Sequence, residues 1–560
     1  MYPVPRRFLQ ACVLWAGLTV FGATEAASAA DAVSREDLER REDLAESLAN
    51  SLHELSFAFR QRDMTKFADH LAPEFRGTGL PLGDTTVASE LSYVRYREAQ
   101  SVRQLDRDAF LAAWSEYLAS FQAIDDVRLK VKAVKSVSAD SPASMKTEMK
   151  FYWVTRNADG HREWVKGVGK LEARQRDDSH WELTHWSIGE TKAMIATQEL
   201  FSEVGLNAGV EHTVPPWGEP GNEAFMSHGV AMDDVDQDGD LDLFVTGGQE
   251  NYLYLNRGDG TFENQALEAL IITPPATATG PLFVDYHNDG DSDLFLAAIG
   301  NQMLFENRLV PDGNLEFWEV SEDAGVALPA EGYSAISADV NGDGYPDVYV
   351  ASYNKYGAIM PDSWSDAQNG TPNLLFLSNG DGTFTEGGAA WGVADSRWSY
   401  AAHFGDLTGD GKPDLYVAND FGVNSLFVHE GDRYVDRGAQ FGLNDTGNGM
   451  GVSLGDYNND GLVDVHVTNM SSTAGKRILK QLFPGQAATA ELPTMLHKLA
   501  HGNTLFQNAG GGKFTDVSDD VGPFGAGWAF GGGFLDFDND GWDDLHTPNG
   551  FISGKDLKDT

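Results

Sequence analysis

The sequence predicts a mostly β protein in which a small α+β domain precedes a β-propeller. Before residue 199, a helical pattern gives way to strands that alternate with period two. After it, a nine-residue aspartate-rich pattern recurs six times, flanked by short runs of β-branched and aromatic residues. A recurrence of about fifty residues is typical of propellers and solenoids. We therefore expect six visible blades, and the sequence leaves open whether the intact protein has a seventh blade.

The composition indicates a globular and strongly acidic protein. Its 560 residues include 85 acidic and 40 basic side chains, a net charge of −45, and 41% of them are hydrophobic. Because such a surface repels a phosphate backbone, we exclude a nucleic-acid partner. Two interpretations of the acidity stay open at this point, a solvated acidic surface or carboxylates that hold cations.

Residues 1–30 are predicted to be a signal peptide. Two arginines precede an apolar run at 8–22, and a small-residue cleavage pattern follows at 27–29. No later run of eighteen apolar residues exists, so we expect a secreted, periplasmic or cell-surface chain without a transmembrane segment. The single cysteine, Cys12, lies in this region. A mature chain would therefore lack disulfides, and metal would be a natural alternative source of stability.

Residues 31–198 are predicted to form the α+β domain. Apolar residues from Leu44 to Phe59 recur at helical spacing, and four period-two segments follow from Val127. This layout, with the string FRQRDMTKFADHLAPEFRGTG, resembles the nuclear-transport-factor-2-like (NTF2-like) fold, which occurs in enzymes and in binding proteins. Four tryptophans either line a pocket or, as the favoured interpretation, fill the core. These are Trp153, Trp164, Trp181 and Trp186.

Six loops with the pattern D-x-[DNHT]-x-D-G-x-x-D carry the functional argument. Loops 1 to 6 begin at Asp234, Asp285, Asp339, Asp406, Asp456 and Asp536, at intervals of 51, 54, 67, 50 and 80 residues. Calcium accounts for this spacing, because alternate side chains of a tight loop can converge on one hard cation. The glycine at the sixth position allows the sharp turn. Without a cation, so many neighbouring carboxylates would repel each other.

The residues around the loops exclude the helix–loop–helix calcium motif. That motif needs a glutamate at the twelfth position and helices on both sides, whereas these loops have valine, leucine or threonine there. Strand-forming triplets such as LFV and VYV follow the ninth position. Each loop is therefore predicted to join two strands. A second hairpin around a Gly-Asp-Gly type of turn follows most loops, which gives four strands per blade.

The repeats resemble the FG-GAP/VCBS repeats of integrin-type propellers. The strings LYVANDFGVNSLF, GMGVSLGDYNNDGLVDVHVTNM and AGWAFGGGFLDFDNDGWDDLHTPNGF are similar to the cartilage acidic protein-like family. This resemblance covers residues 201–560 and implies a secreted or cell-surface calcium-binding propeller without a known catalytic centre. We assign residues 199–560 to the propeller. A helical insertion at about 474–500 would account for the longest interval.

Metal ligands are predicted where the sequence matches the loop pattern, with about one Ca²⁺ per loop and up to six in all. In loops 1 and 2 they are Asp234, Asp236, Asp238, Asp240 and Asp242, then Asp285, Asp289, Asp291 and Asp293. In loops 3 and 4 they are Asp339, Asn341, Asp343 and Asp347, then Asp406, Thr408, Asp410 and Asp414. In loops 5 and 6 they are Asp456, Asn458, Asp460 and Asp464, then Asp536, Asp538, Asp540 and Asp544.

The third position distinguishes the loops. Loops 1 and 6 carry the most carboxylates and are expected to bind calcium tightest, whereas Thr408 makes loop 4 a weaker site. Loop 2 has His287 at this position. A nitrogen ligand suits calcium poorly, so we expect loop 2 either to be a doubtful calcium site or to take in a water molecule.

The sequence favours a non-catalytic module that binds an extracellular protein or glycan, since no local catalytic motif stands out. The alternative is an extracellular hydrolase or lyase that acts on polysaccharide or lipid, because a propeller can assemble a site from separate blades. Its first candidate residues are His228, His403, His466 and His546. A third possibility is a small-molecule site, for binding or catalysis, in the NTF2-like domain.

The C-terminal end leaves the closure of the propeller open. The chain stops soon after loop 6, at NGFISGKDLKDT. Either the segment LFSEVGLNAGV at 200–210 supplies a strand from the front, or the chain is a fragment of a longer protein. We expect a fragment.

Overall fold

The computed structural model separates into two compact units. Unit 1 comprises residues 1–202 with 473–497, and unit 2 comprises 203–472 with 498–560. The structure describes residues 35–89, 91–138, 142–176, 180–211, 229–247, 250–274, 277–354, 359–363, 365–471, 497–521, 527 and 529–548. The predicted signal peptide and most of the predicted helical insertion lie outside these ranges. Within them, no helix has the length and apolar character needed to cross a membrane.

Among the described residues of unit 1, three helices form the helical layer. They are α1 (Arg35–Arg60), α2 (Met64–Asp69) and α3 (Arg107–Ala119). Asp63 and Asp106 cap α2 and α3, because each carboxylate accepts a hydrogen bond of 3.0 Å from a backbone N–H of the first turn. In the predicted apolar stripe of α1, Leu44 is half-buried and the later residues are buried, with Phe59 at the end fully inside the core.

The sheet of unit 1 has eight strands. They are β1 (Leu71–Thr78), β2 (Leu82–Ala88), β3 (Val94–Ala99), β4 (Gln104–Asp106), β5 (Ala123–Ser138), β6 (Ser144–Arg156), β7 (Arg162–Gln175) and β8 (Trp181–Ala196). Their order is β2-β3-β8-β7-β6-β5, and β1 pairs parallel with β8 and antiparallel with β4. The alternating burial along β5 to β8 confirms the period-two prediction.

Aromatic side chains fill the space between the helices and the sheet. Phe59, Trp114 and Trp153 form a cluster with ring centroids 4.9–5.7 Å apart, and Trp114 stacks on Trp186 at 5.6 Å. Trp181 is also fully buried. Three of the four predicted tryptophans are therefore core residues, and the fourth is half-buried beside Arg162.

Unit 2 consists of four-stranded antiparallel blades. The first three are β9 (Val230–Asp233) to β12 (Phe262–Asn264), β13 (Ala278–Val284) to β16 (Phe317–Glu319), and β17 (Pro329–Ala338) to β20 (Phe384–Glu386). The second and third strands of these blades are β10 (Asp242–Val245), β11 (Tyr252–Asn256), β14 (Asp293–Asn301), β15 (Met303–Asn307), β18 (Asp347–Ser352) and β19 (Leu374–Ser378).

The next blades repeat the same pattern. They are β21 (Trp398–Gly405), β22 (Asp414–Asp420), β23 (Ser425–His429) and β24 (Tyr434–Asp436), then β25 (Gly449–Gly455), β26 (Asp464–Asn469), β27 (Thr504–Asn508) and β28 (Phe514–Asp516). Two strands of a sixth blade are described, β29 (Gly533–Leu535) and β30 (Asp544–His546). Within each blade the paired strands are consecutive in the chain. In addition, β14 of the second blade pairs with β17 of the third, so these two blades share one eight-stranded sheet. The mostly β class and the propeller repeats predicted from the sequence are confirmed.

Successive blades pack through their first strands and through apolar side chains between the sheets. Phe295 of the second blade, for example, lies 6.0 Å from Phe376 of the third, measured between ring centroids. A side chain at Gly280 would come within 2.7 Å of the Tyr333 carbonyl oxygen, so only glycine lets β13 lie so close to β17. This repeated interface accounts for the full burial of the second strands β18 and β22.

Single helical turns also occur in unit 2. They are α4 (Gly205–Ala208), α5 (Leu309–Asp312), α6 (Gly388–Trp391), α7 (Gly438–Phe441) and α8 (Ser518–Val521). The alternative of a closing strand within 200–210 is wrong, because this segment contains the helical turn α4 and no strand. Ala208 donates a helical hydrogen bond to the Val204 carbonyl at 2.7 Å, and Gly209 ends the turn with a φ of 80°.

Candidate metal-binding loops

The six aspartate-rich loops occupy equivalent places, since each joins the first and second strands of its blade. They also contact one another. The side-chain amide of Gln237 in loop 1 donates to the Gly290 carbonyl of loop 2 at 2.7 Å. Asn288 in loop 2 makes the same bond to Gly344 of loop 3 at 2.9 Å, and Asn459 joins loop 5 to loop 6. The loops therefore line one end of the blades.

The first aspartate of every loop organises the turn. One carboxylate oxygen accepts the backbone N–H of the fifth residue at 2.9–3.1 Å. The other accepts the N–H of the sixth-position glycine at 2.8–3.0 Å. These bonds hold the loop closed and fix the carboxylate in place. The aspartates are Asp234, Asp285, Asp339, Asp406, Asp456 and Asp536.

The ninth aspartate ties the loop to the rest of its blade. In loop 3, the fully buried Asp347 accepts Val340 N–H at 2.9 Å and Ser378 N–H, at the end of β19, at 2.8 Å. Loops 1, 2, 4 and 5 make the same bond to their third strand at 2.7–3.1 Å. This carboxylate is therefore a structural bridge as well as a predicted ligand.

Burial disfavours the charge on these ninth aspartates. It raises the pKa of Asp242, Asp293, Asp347 and Asp464 to about 6. The pKa values of Asp414 and Asp544 are also raised by burial. A cation in the loop would compensate these buried negative charges.

Sequence reasoning missed the fourth loop position. The backbone there is left-handed in all six loops, with φ between 53° and 77° at Gln237, Asn288, Gly342, Gly409, Asn459 and Asn539. Asparagine and glycine tolerate this conformation best. Their recurrence at five of the six positions was a signal in the sequence. The amide side chains at this position also supply the contacts between loops.

Three loops bring candidate ligand atoms within 4.8 Å of one another. The groups are Asp234, Asp236 and Asp242 in loop 1, Asp285, His287 and Asp289 in loop 2, and Asp536, Asp538 and Asp540 in loop 6. Burial and the neighbouring Asp238 carboxylate raise the pKa of Asp236. The groups of loops 1 and 6 consist entirely of carboxylates, the donors that calcium prefers.

Loops 3 and 5 use an amide at the third position. Asn341 donates to the Asp343 carboxylate at 2.9 Å, and Asn458 donates to Asp460 at 3.0 Å. Each amide nitrogen thus contacts a predicted ligand, while the amide oxygen accepts the fifth-residue N–H. In loop 4, the backbone N–H of Thr408 donates to the Asp414 carboxylate at 2.9 Å.

Two predicted ligands at the seventh position have other contacts. The Asp240 carboxylate lies against Gly258 in the turn between β11 and β12. Asp291 accepts the Val310 N–H at 2.8 Å.

Loops 1 and 6 fit calcium through the chemistry of their oxygen donors, and loops 3, 4 and 5 retain oxygen donors at the first, third, fifth and ninth positions. Loop 2 does not fit, because an imidazole occupies its third position.

The histidines proposed for catalysis differ in their surroundings. His403 contacts its neighbouring backbone carbonyl at 2.7 Å. His466 is fully buried, and burial lowers its pKa to about 4. His546 is exposed at the end of β30. His228 lies outside the residues that the structure describes.

The family comparison identifies the class of repeat. The FG-GAP-like repeat family matches residues 234–296, 285–350, 339–417 and 406–467. Each match begins at the first aspartate of one loop and ends three residues beyond the ninth aspartate of the next. The chain therefore carries FG-GAP-like repeats over 234–467. Every match contains one complete aspartate-rich loop at each end, with its first and ninth aspartates.

The curated relatives are cartilage acidic protein 1 from several vertebrates. The human protein is 26% identical over 267 residues, which cover 45% of this chain and 39% of the relative. The mouse protein is 25% identical over 240 residues, which cover 40% and 36%. The matched part thus spans less than half the length of these relatives. The predicted resemblance to FG-GAP repeats and to the cartilage acidic protein family is confirmed.

Solved structures with some similarity to this chain include an NTF2-like protein and a lectin. An NTF2-like superfamily protein from Salmonella enterica has 11% identity and a TM-score of 0.19, and the match covers 27% of this chain and 92% of that one. An Agrocybe aegerita lectin, described as recognising non-reducing terminal N-acetylglucosamine, has 14% identity and a TM-score of 0.30. That match covers 72% of this chain and 86% of the lectin.

Proposed function

We propose that this chain is a calcium-binding β-propeller that serves as a non-catalytic, extracellular binding module for a protein or a glycan. The observation that carries the proposal is the repeated loop scaffold. In six blades, one aspartate closes the turn through two backbone bonds and leaves neighbouring oxygen donors around the loop. The FG-GAP-like repeats and the cartilage acidic protein 1 relatives support an extracellular, adhesion-type role.

Calcium in these loops would act on the blades as a structural ion. The ninth aspartates reach from the loop to the third strand, and burial raises their pKa. An ion would offset this buried charge and thereby stabilise both the loop and its link to the blade. Fixed loops at one end of the blades would present a rigid surface, which lowers the entropic cost of binding a partner.

The metal part of the proposal is tested by calorimetric unfolding of the full chain after chelation and after reloading with Ca²⁺. Since an ion that binds only the folded state stabilises it by mass action, we expect a higher unfolding temperature and several equivalents of bound Ca²⁺. The double variant Asp236→Asn and Asp238→Asn should lose about one equivalent. Asp432→Asn, the same change at an exposed turn outside the loops, should lose none. Equal calcium content in both variants would refute the loop assignment.

The binding part is tested with the Ca²⁺-loaded chain on glycan and extracellular-protein arrays. A binder should retain its ligand unchanged, and this is checked by mass spectrometry of the recovered ligand after long incubation. Chelation should weaken the binding if the loops fix the recognition surface. Cleavage of the ligand would contradict the non-catalytic role and favour the hydrolase or lyase hypothesis.

A further inference from the structure

Loop 2 departs from the other five loops because its third position is an imidazole. The Nε2 atom of His287 lies 3.0 Å from an Asp289 carboxylate oxygen, and Nδ1 lies 3.1 Å from Asp293. Nδ1 is also 3.8 Å from Asp285. The ring is therefore surrounded by the three carboxylates that would otherwise form a calcium cage. Calcium coordinates nitrogen poorly, so the donor atoms of loop 2 do not suit the calcium ion that was expected in every loop.

A second observation in loop 2 concerns Asp291. Its side chain is only 2% exposed. One carboxylate oxygen accepts the Val310 N–H, whereas the other, Oδ1, has no hydrogen-bond partner among the described residues. Asp291 also lies next to Asp289, because its backbone N–H donates to the Asp289 carboxylate at 3.2 Å. A buried carboxylate oxygen without a partner requires a cation or a proton nearby.

Loop 2 is distinguished from the other loops by this combination. The seventh position of loops 3 to 6 is Tyr345, Lys412, Leu462 or Trp542, and Asp240 of loop 1 lies against a neighbouring turn. Loop 2 thus combines one imidazole with a buried extra carboxylate. Mixed nitrogen and carboxylate donors suit a borderline divalent ion such as Zn²⁺.

We propose that loop 2 is a transition-metal site, in which His287 and the carboxylates of Asp285 and Asp289 hold a borderline divalent ion such as Zn²⁺ in preference to Ca²⁺. Asp291 supplies a further buried carboxylate beside Asp289. The protein would then carry two chemical classes of ion on one row of loops. This assignment is independent of the ligand that the propeller binds, and its failure leaves the calcium assignment of the other loops intact.

The test uses the full chain, stripped with chelator and dialysed against saturating Ca²⁺ with a low, buffered concentration of Zn²⁺. Elemental analysis should find one Zn²⁺ per wild-type chain. His287→Asp restores the common loop pattern, and it should weaken Zn²⁺ binding by at least about tenfold and add one Ca²⁺. The control is His161→Asp, the same change in unit 1, which should keep the Zn²⁺. Absence of Zn²⁺ from the wild type, or equal loss in both variants, would overturn the proposal.

A measurement on the wild-type chain avoids any folding defect of the variants. Acylation of His287 by diethylpyrocarbonate is quantified by peptide mass spectrometry in Ca²⁺ alone and in Ca²⁺ with Zn²⁺. The labelling is done at alkaline pH, because the reagent attacks the neutral imidazole and the surrounding carboxylates raise the pKa of His287. Zn²⁺ should protect His287, because a coordinated nitrogen is no longer available to the reagent, and Ca²⁺ alone should leave it reactive. Equal labelling with and without Zn²⁺ would contradict the site and indicate that the imidazole itself neutralises the loop.

Discussion

Replacement of Asp347 separates the structural role of a loop carboxylate from its role as a predicted metal ligand. Asp347→Ala removes the acceptor for two backbone N–H groups, those of Val340 and Ser378, from a place that is 0% exposed. Each buried N–H without a partner costs about 1–3 kcal/mol. Since burial already disfavours the ionised carboxylate, we expect the lower part of the summed range, about 2–4 kcal/mol near neutral pH.

The matched variant is Asp343→Ala in the same loop. Asp343 is exposed, and its carboxylate accepts bonds from the loop residues Asn341 and Tyr345. In chelator, hydrogen–deuterium exchange should show that Asp347→Ala lowers the opening free energy of the Ser378 amide by that amount, whereas Asp343→Ala leaves it within about 0.5 kcal/mol. In Ca²⁺, both variants should lose the protection that the ion adds. Equal exchange of Ser378 in the two chelated variants would refute this division of roles.

Three further predictions follow from particular contacts. Burial raises the pKa of Asp420 to about 7, above its ordinary value of 3.8, while the Tyr353 hydroxyl donates to it at 2.6 Å. The protonated Asp420 therefore stabilises the fold, and this contribution is fully present below about pH 4 and is lost as the pH rises through 7. Asp420→Asn should flatten that part of the stability–pH curve measured by urea unfolding. Asn459→Ala should lower the free energy of unfolding by about 1–2 kcal/mol, because the hydrogen bond to Gly541 is lost and alanine must adopt the positive φ of this position. Asn459→Gly should lower it less, because glycine adopts that φ readily. In unit 1, Phe59→Ala should cost about 3–5 kcal/mol in urea unfolding, while the Ca²⁺ content measured by elemental analysis stays unchanged.

The local chemistry of the repeats was readable from the sequence because it depends on residues close together in the chain. Loop 3 contains its own closing bonds, from Asp343 and Gly344 to Asp339, within six residues. The β-branched and aromatic residues after the ninth position likewise predicted the strands. The hairpin β15–β16 of the second blade was not predicted, because α5 separates its strands in place of a short Gly-Asp-Gly turn.

The N-terminal tryptophans illustrate a choice that the sequence left open. A pocket lining and a core have the same period-two pattern, since both place large apolar residues on one face of a sheet. The ring contacts of Trp114 with Trp153 and Trp186 decide for the core. The contacts come from a helix and two strands far apart in the chain, which no local pattern specifies.

The sequence by itself determined the repeat, the strand–loop–strand hairpins and the oxygen-rich donor sets, because all three follow from spacing within one segment. Only the tertiary structure decided which carboxylates are bridges and which stay in the loop. Asp347 bonds to Ser378 across 31 residues of chain, and Asn288 reaches Gly344 in the next blade. Burial is likewise a property of packed blades. It makes Asp291 a buried carboxylate next to Asp289, although the sequence does not distinguish it from an exposed aspartate.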